Sequence, residues 1–470
     1  MSITEERSPG FLDRLRRAWR GVSLGPTEAI EPDLPKSDSV RLREQIDACL
    51  TGKGGEVSAR ARAADLGRAY LALNETGRAR FLKLLATDYD VEQGTVEAAL
   101  KTMAGAESDD DQRAARRFLR AALVPPRVRL LTQFNALTEG TKFLVDMRAE
   151  LIRLAREDRD LKPLDNDLKE LLASWFDIGF LGLQQITWRS PAALLEKLMA
   201  YEAVHAIKSW SDLKNRLDSD RRCYAFFHPA MPDEPLIFVW VALVNGMSDN
   251  VQHLLDVEAP NLDPDTADAA IFYSISNAQA GLAGVGFGDF LIKRVVGDLT
   301  YDLPKLKIFA TLSPMPGLRA WLDEQRDRLD FTDEEAGELI ALSGAETAGE
   351  GFLALLDRPD WHQDKAVADA VQPLLKALAA EYLVNQRRPG GRTARDPVAH
   401  FHLTNGARLE RLNWLGDTST AGLRQSGGLM VNYLYKLNEI EKNHESYTGD
   451  GRIATAAAVR KLARSLKPEA

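Results

Sequence analysis

With only two cysteines in 470 residues, Cys49 and Cys223, the chain has too few thiols for a disulfide framework. Such scarcity fits a reducing, cytoplasmic setting, and either thiol reads as a small buried residue rather than a nucleophile. Long hydrophobic runs are missing too: the longest, residues 235–244, falls far short of the ~20 residues that a membrane span requires. No membrane domain is expected. Positive charge is in deficit, with 60 Lys and Arg against 69 Asp and Glu and a formal net charge of −9, which argues against a general nucleic-acid binder. No Gly-Lys-Ser/Thr loop is present to cradle a triphosphate. After Gly284 and Gly286, Asp289 stands where a dinucleotide G-x-G-x-x-G turn needs its third glycine. A nucleotide triphosphatase and a Rossmann dehydrogenase are thereby disfavoured.

What is present falls into halves of different pattern, and 470 residues are enough for two domains. Residues 1–35 hold Arg14, Arg16, Arg17 and Arg20 beside Phe11, Leu12, Leu15 and Trp19, the composition of a basic amphipathic helix. Glu5, Glu6 and Asp13 make the stretch a poor transit peptide, and it lacks the apolar core of a secretory signal. A flexible tail or docking helix is expected. Across residues 36–180 apolar residues recur three and four apart, notably in 40–50, 78–88, 91–103, 111–123, 127–157 and 168–176. Breaks fall at Gly52-Lys53-Gly54-Gly55, Asn74-Glu75-Thr76-Gly77 and Pro125-Pro126. This half groups no nucleophile, base and phosphate loop, so a helical bundle is expected, with leftover apolar faces serving contact between subunits.

Residues 181–470 read as mixed α and β. Ser190 as N-cap and Pro191 at the first helical position should open a helix over 192–201. Strands are expected at 223–227, 236–243, 270–275, 307–312, 398–403 and 411–415, with a helical stretch over 331–382.

The chemistry concentrates after residue 269. A strand runs into glycines at 281, 284, 286 and 288, and the next segment has Phe290, Leu291, Val295 and Leu299 at helical spacing. A turn that opens a helix N-terminus presents unpaired N–H groups to an anion such as a pyrophosphate; a plain tight turn needs the same glycines. Ser313 ends a strand and is followed by Pro314, Met315, Pro316 and Gly317, so its backbone is held in extended geometry. It is either a poised hydroxyl or a serine that closes a turn. His400 and His402 alternate with Phe401 and Leu403, which would place both imidazoles on one face of a strand. An H-x-H pair can serve a metal, but no H-E-x-x-H or cysteine pair completes a zinc site, so proton transfer is the better reading. His228, in a proline-rich loop, reads as structural. Asn405, Asp417 and Tyr435 are further polar residues that could orient substrate or imidazole; spacing does not choose among them.

Taken together, RRCYAFFHPAMPDEPLIFVWVALV, IFYSISNAQAGLAGVGFGDFLIKRVVGDL, LPKLKIFATLSPMPG and DPVAHFHLTNGARLERLNWLGDTSTAGLRQSGGLMVNYLYKL closely resemble malonyl-CoA decarboxylases, and WFDIGFLGLQQITWRSP resembles them more weakly. The resemblance implies an α+β protein with an N-terminal all-helical bundle domain at 36–180, used for homo-oligomerisation as dimer or tetramer. A catalytic domain like the GNAT-type N-acetyltransferases would follow at 181–470. It implies conversion of malonyl-CoA to acetyl-CoA and carbon dioxide with no cofactor and no metal. The family's catalytic serine, in S-P-x-P-G, falls on Ser313, and its histidine, in F-H-L-x-N-G, falls on His402 and not on His400. Its acyl-CoA loop falls on Ala283, Gly284, Val285, Gly286, Phe287, Gly288 and Asp289, and the last tyrosine of its N-Y-x-Y falls on Tyr435 as a substrate-binding residue. A glutamate of the family is replaced here by Gly286, which removes any carboxylate duty from that position. The final Lys-Pro-Glu-Ala lacks the peroxisomal Ser-Lys-Leu ending of animal members. On the residues alone, an acyltransferase using the same fold and a silent acyl-CoA sensor remain alternatives; the presence of both Ser313 and His402 argues against silence.

Overall fold

Helical periodicity in the first half is realised as helices in the computed structural model, which describes Leu15, Trp19 and residues 30–51, 55–286 and 288–463. They run Lys36–Leu50, Gly55–Ala72, Glu75–Asp88, Gln93–Ala104, Asp109–Ala122, Pro126–Asn135, Gly140–Leu154 and Lys162–Trp175. Asn74 and Ser108 cap their helices by accepting the N–H of Gly77 and Asp111, and Pro126 takes a first-turn position where its missing N–H is harmless. The single helix expected over 127–157 is broken: Glu139 turns left-handed at a φ of 61° and starts a new helix at Gly140. A β-carbon at Gly140 would lie 1.9 Å from the Phe134 carbonyl oxygen, so this corner requires glycine. Trp19, Phe134, Tyr70 and Phe143 interlock edge to face, Trp19 to Phe143 at 5.0 Å and Phe134 to Phe143 at 5.3 Å. Trp19 and Leu15 are buried, so these positions of the expected flexible tail belong to a core; the rest of residues 1–29 lies outside the described residues.

Aromatic and β-branched runs in the second half form a seven-stranded sheet ordered β1-β2-β3-β4-β5-β7-β6. The strands are β1 Gly182–Ile186, β2 Arg221–Phe227, β3 Ile237–Val244, β4 Ala269–Asn277, β5 Ile308–Thr311, β6 Arg408–Asn413 and β7 Met430–Leu434. β4 and β5 are parallel, joined by the helix Gly288–Asp302, whereas the β2–β3, β3–β4 and β6–β7 pairs are antiparallel. Val295 and Leu299 of that helix share one core with Val239, Val241 and Phe272 of the sheet. Trp321, Tyr382 and residues of the helices Asp333–Ser343, Ala348–Asp357 and Lys365–Val384 join the same core. Ser190 does not cap the helix Ala192–Tyr201; its hydroxyl accepts the N–H of Thr187, and Pro191 stands at the cap position. Among the described residues no single helix is long and apolar enough to cross a membrane.

By its contacts the chain divides into two units. One gathers the residues up to Gly182 with Phe227–Pro235 and Gln279–Gly286. The other comprises Leu183–Phe226, Leu236–Ala278 and Phe287–Ala470.

Candidate active site

The expected acyl-CoA loop is shared between the units. Ala283, Gly284, Val285 and Gly286 belong to the first, Gly288 and Asp289 open the helix Gly288–Asp302 in the second, and Phe287 lies outside the described residues. In the first unit the turn is built from below by Arg148, a buried side chain that donates to the carbonyls of Gly281 at 2.6 Å and Ala283 at 2.9 Å. Asp165 neutralises this guanidinium at 2.9 Å, as a buried cation requires. Gly281 has no alternative, because a β-carbon there would meet the Val145 carbonyl oxygen at 1.8 Å. Gly284 adopts a φ of +75°, and Lys169 Nζ lies 3.3 Å from where its β-carbon would be. A lysine ammonium therefore stands beside the turn expected to take phosphates, a feature no local spacing announces.

In the second unit the site grows from a fault in the sheet. The β3–β4 register shifts between Trp240 and Val241, and the paired residues of β4 and β5 run from Ala269↔Ile308 to Phe272↔Thr311. β4 continues to Asn277, while the chain after β5 turns to β7, Ser313 exchanging both backbone hydrogen bonds with Val431 at 2.9 Å. A cavity of about 220 Å³ lies here, lined by Phe272, Tyr273, Ser274, Ile275 and Asn277 of β4 and by Val204, Ser313, Pro314, Pro397, Val398, Phe401 and His402. None of these lining residues is a lysine or arginine. Behind the wall, the buried carboxylate of Glu202 accepts from Ser274 Oγ at 2.7 Å, Trp240 Nε1 at 2.9 Å, Ser276 Oγ at 3.3 Å and the N–H groups of Val204 and His205 at 2.9 Å. Its charge is thus met by donors from β3, β4 and the following loop, fixing that side of the cavity.

Ser313 and His402 meet at the cavity wall, with Oγ 3.1 Å from Nε2. The serine hydroxyl donates to Thr311 Oγ1 at 2.9 Å, so the shared bond with the imidazole is donated by Nε2–H. Tyr435 completes the row: its hydroxyl lies 2.8 Å from Nδ1, and burial pushes this phenol well up, keeping it a donor. A chain of donors therefore runs Tyr435, His402, Ser313, Thr311. Tyr433 stacks on the imidazole at 4.6 Å, and complete desolvation pushes His402 down to about 3. The imidazole is neutral at physiological pH, held in the tautomer that points a proton at Ser313.

Several sequence expectations change here. Residues 398–403 are not a strand; the helix Pro397–Thr404 carries both histidines, because Asp396 caps the N–H groups of Val398 and Ala399 and Pro397 suits the first turn. His400 consequently points elsewhere, with Nδ1 2.8 Å from the Tyr447 hydroxyl. Among the described residues no group of three His, Cys, Asp or Glu side chains converges as a metal site needs. Tyr435, expected to bind substrate, is not among the residues lining this cavity, and its hydroxyl lies 2.8 Å from His402 Nδ1. Asn405 bonds the Phe401 carbonyl of its own helix, and Asp417 accepts from Gln252 and the Ser419 N–H. His228 stacks on Phe176 at 4.7 Å and accepts the Ala230 N–H, a structural role. Thr311, Glu202 and Asp396 were not singled out by spacing; only Asp396 had a local sign, the Asp-Pro that opens a helix.

A parallel β4–β5 pair beside a cavity, joined by the helix Gly288–Asp302, defines an acyltransferase-like α+β protein of the GNAT-like kind. Family models agree on something narrower: residues 179–470 match the malonyl-CoA decarboxylase C-terminal domain and residues 89–176 the malonyl-CoA decarboxylase N-terminal domain. The chain belongs to the malonyl-CoA decarboxylase family. It is similar to the mitochondrial malonyl-CoA decarboxylase of Anser anser anser, 39% identical over 96% of this chain and 94% of that protein, and to that of Mus musculus, 36% identical over 97% and 94%. The solved malonyl-CoA decarboxylase of Rhodopseudomonas palustris superposes with a TM-score of 0.82 at 42% identity, covering 90% of this chain and 99% of that one. That of Agrobacterium vitis gives 0.81 at 42% identity, covering 90% and 100%.

Proposed function

We propose that this chain converts malonyl-CoA to acetyl-CoA and carbon dioxide, and that Ser313 and His402 supply the proton. The observation behind this reading is the neutral Ser313–His402 pair, 3.1 Å apart, on a cavity with no lysine or arginine among its lining residues. The names of the relatives support the substrate.

Loss of carbon dioxide breaks the bond between the α-carbon and the carboxylate, and its electrons move onto the thioester carbonyl as an enolate. An arginine or lysine at the carboxylate would stabilise the ground state and oppose this step; a wall of Phe272, Ile275, Val398 and Phe401 with few hydroxyls does the reverse. The carboxylate must also be turned so that the breaking bond stands perpendicular to the carbonyl plane, an effect of orientation that the rigid Ser313-Pro314 segment serves. Protonation follows. The Ser313 hydroxyl turns from Thr311 to the substrate and gives its proton to the α-carbon, His402 Nε2–H replaces it while the Tyr435 hydroxyl protonates Nδ1 so that the imidazole stays neutral, and one solvent proton restores the row. With glycine at 286, the relay relies on no carboxylate there. The turn held by Arg148, with Lys169 beside it, supplies a cation and a glycine backbone for the phosphates of CoA.

The helical unit is read as the surface for self-association, since Leu100, Met103, Phe118 and Leu123 are exposed on the helices Gln93–Ala104 and Asp109–Ala122 and beside them. The buried thiols of Cys49, pushed up to about 11 by desolvation, and Cys223, also raised, suit a reducing cytoplasmic compartment. The test of the activity is incubation of purified protein with malonyl-CoA and no added metal, following acetyl-CoA and carbon dioxide by mass spectrometry. Stoichiometric appearance of both is expected. Release of free CoA thiol would point to acyl transfer, and tight binding without turnover to a sensor.

A further inference from the structure

The serine and the histidine come from segments 89 residues apart, so something must set their separation. Asp396 is completely buried. Its Oδ1 accepts the N–H groups of Val398 and Ala399, both at 2.9 Å, and so anchors the first turn of the helix that carries His402. Its Oδ2 takes the Tyr382 hydroxyl at 3.3 Å, and the backbone N–H of Gly317 faces the carboxylate. Gly317 closes the Ser313-Pro314-Met315-Pro316-Gly317 turn, whose prolines transmit a displacement at one end to the other. The packing there is tight: a β-carbon at Gly317 would stand 2.3 Å from Tyr382 Oη and 3.7 Å from Asp396 Oδ2.

We propose that Asp396 is a positioning residue for the reaction, its carboxylate locking the Ser313 turn to the His402 helix and thereby fixing the gap between the two reacting side chains. The inference rests on the Ser313–His402 reading given above. An aspartate is needed because both oxygens must accept. Asparagine caps a helix equally well through its single oxygen, but would turn an NH2 toward the Tyr382 hydroxyl and the Gly317 N–H. Asp396→Asn therefore keeps the cap and cuts the link. Asp396 does not line the cavity, so substrate affinity should be largely spared.

The experiment measures kcat and KM for malonyl-CoA, per folded molecule, for Asp396→Asn, Tyr382→Phe and Ser313→Ala, with thermal melts alongside. Asp396→Asn should lower kcat about 10–100-fold with KM within about threefold, the signature of misplaced reacting groups. Tyr382→Phe, which removes one donor of the link, should lower kcat in the same sense by about threefold. Wild-type kcat in folded Asp396→Asn, whatever its melting temperature, or a raised KM with kcat intact, would overturn the inference. If that variant does not fold, wild-type kcat in Tyr382→Phe overturns it. Ser313→Ala separates the two levels: full activity there would sink the Ser313–His402 reading itself, whereas an inactive Ser313→Ala beside a fully active Asp396→Asn would sink only the role of Asp396.

Discussion

Two histidines on one short helix, His400 and His402, each place Nδ1 2.8 Å from a tyrosine hydroxyl, and they do different things with it. Tyr447 accepts the Ala394 N–H at 2.8 Å while bonding His400, so that pair ties a loop to the helix. Tyr435 serves His402 inside a dry core, where Nε2 faces Ser313 and Tyr433 stacks on the ring. The contrast shows that a His–Tyr bond is not itself a catalytic device. What sets the His402 corner apart, and fits the proton transfer proposed for it, is complete desolvation, a fixed tautomer and a hydroxyl within reach of a cavity.

Substituting each histidine should separate the corners most sharply. His402→Asn is expected to lose about 10³-fold or more in kcat while retaining acetyl-CoA binding, and His400→Asn to stay within about threefold of wild type. Steady-state turnover and calorimetric binding on both proteins decide it; equal losses would mean that the helix, not the imidazole, matters. The tyrosines should repeat the contrast on a smaller scale. Tyr435→Phe leaves Nδ1 without its donor, frees the tautomer and should lower kcat about tenfold. Tyr447→Phe leaves the Ala394 N–H unpaired and should cost ~1–2 kcal/mol of stability with near-normal kcat. A melt and a rate measured on each variant are sufficient, and a Tyr447→Phe protein that is stable but slow would blur the distinction.

Much of this was legible locally. The runs around β2, β3 and β4 announce strands because aromatic and β-branched residues sit between turn formers, and the glycines before Gly288 announce a helix start. β1 was hidden by its polar Gly-Leu-Gln-Gln-Ile, and β7 by Asn432, which is buried in a strand because its amide bonds the Thr311 carbonyl. The alternation in Ala-His-Phe-His-Leu suggested a strand, but Asp396 and Pro397 dictate a helix, and a cap outweighs alternation over so short a span. Glu202 could not be read at all: its hydroxyl partner Ser274 is 72 residues away, and only the sheet brings them together. The resemblance selected His402 over His400, which the local pattern could not do. In the structure it is His402, and not His400, that lines the cavity, and a cavity has no sequence motif.

The smallest expected effect lies in pH, and its sign follows from burial. His402 is held near 3 in the folded protein, against an ordinary imidazole near 6.5. Above pH 6.5 both folded and unfolded chains leave it neutral, and it contributes no pH dependence. As pH falls from 6.5 toward 3 the unfolded chain takes up a proton that the folded one refuses, so stability drains away, at most ~1.4 kcal/mol per pH unit from this group. His205 and His228 are also lowered by desolvation and add in the same direction, but they remain in a His402→Asn protein. The melting temperature of wild type should therefore fall more steeply between pH 6.5 and 4.5 than that of His402→Asn, in a window above most carboxylate titrations. The same neutrality predicts a wild-type kcat without an inflection near 6.5, because the relay starts from an uncharged imidazole. Parallel melting curves, or a rate that drops on crossing the ordinary imidazole range, would show that His402 takes up a proton in the folded protein. Its corner would then be wetter, and closer to that of His400, than the geometry gives.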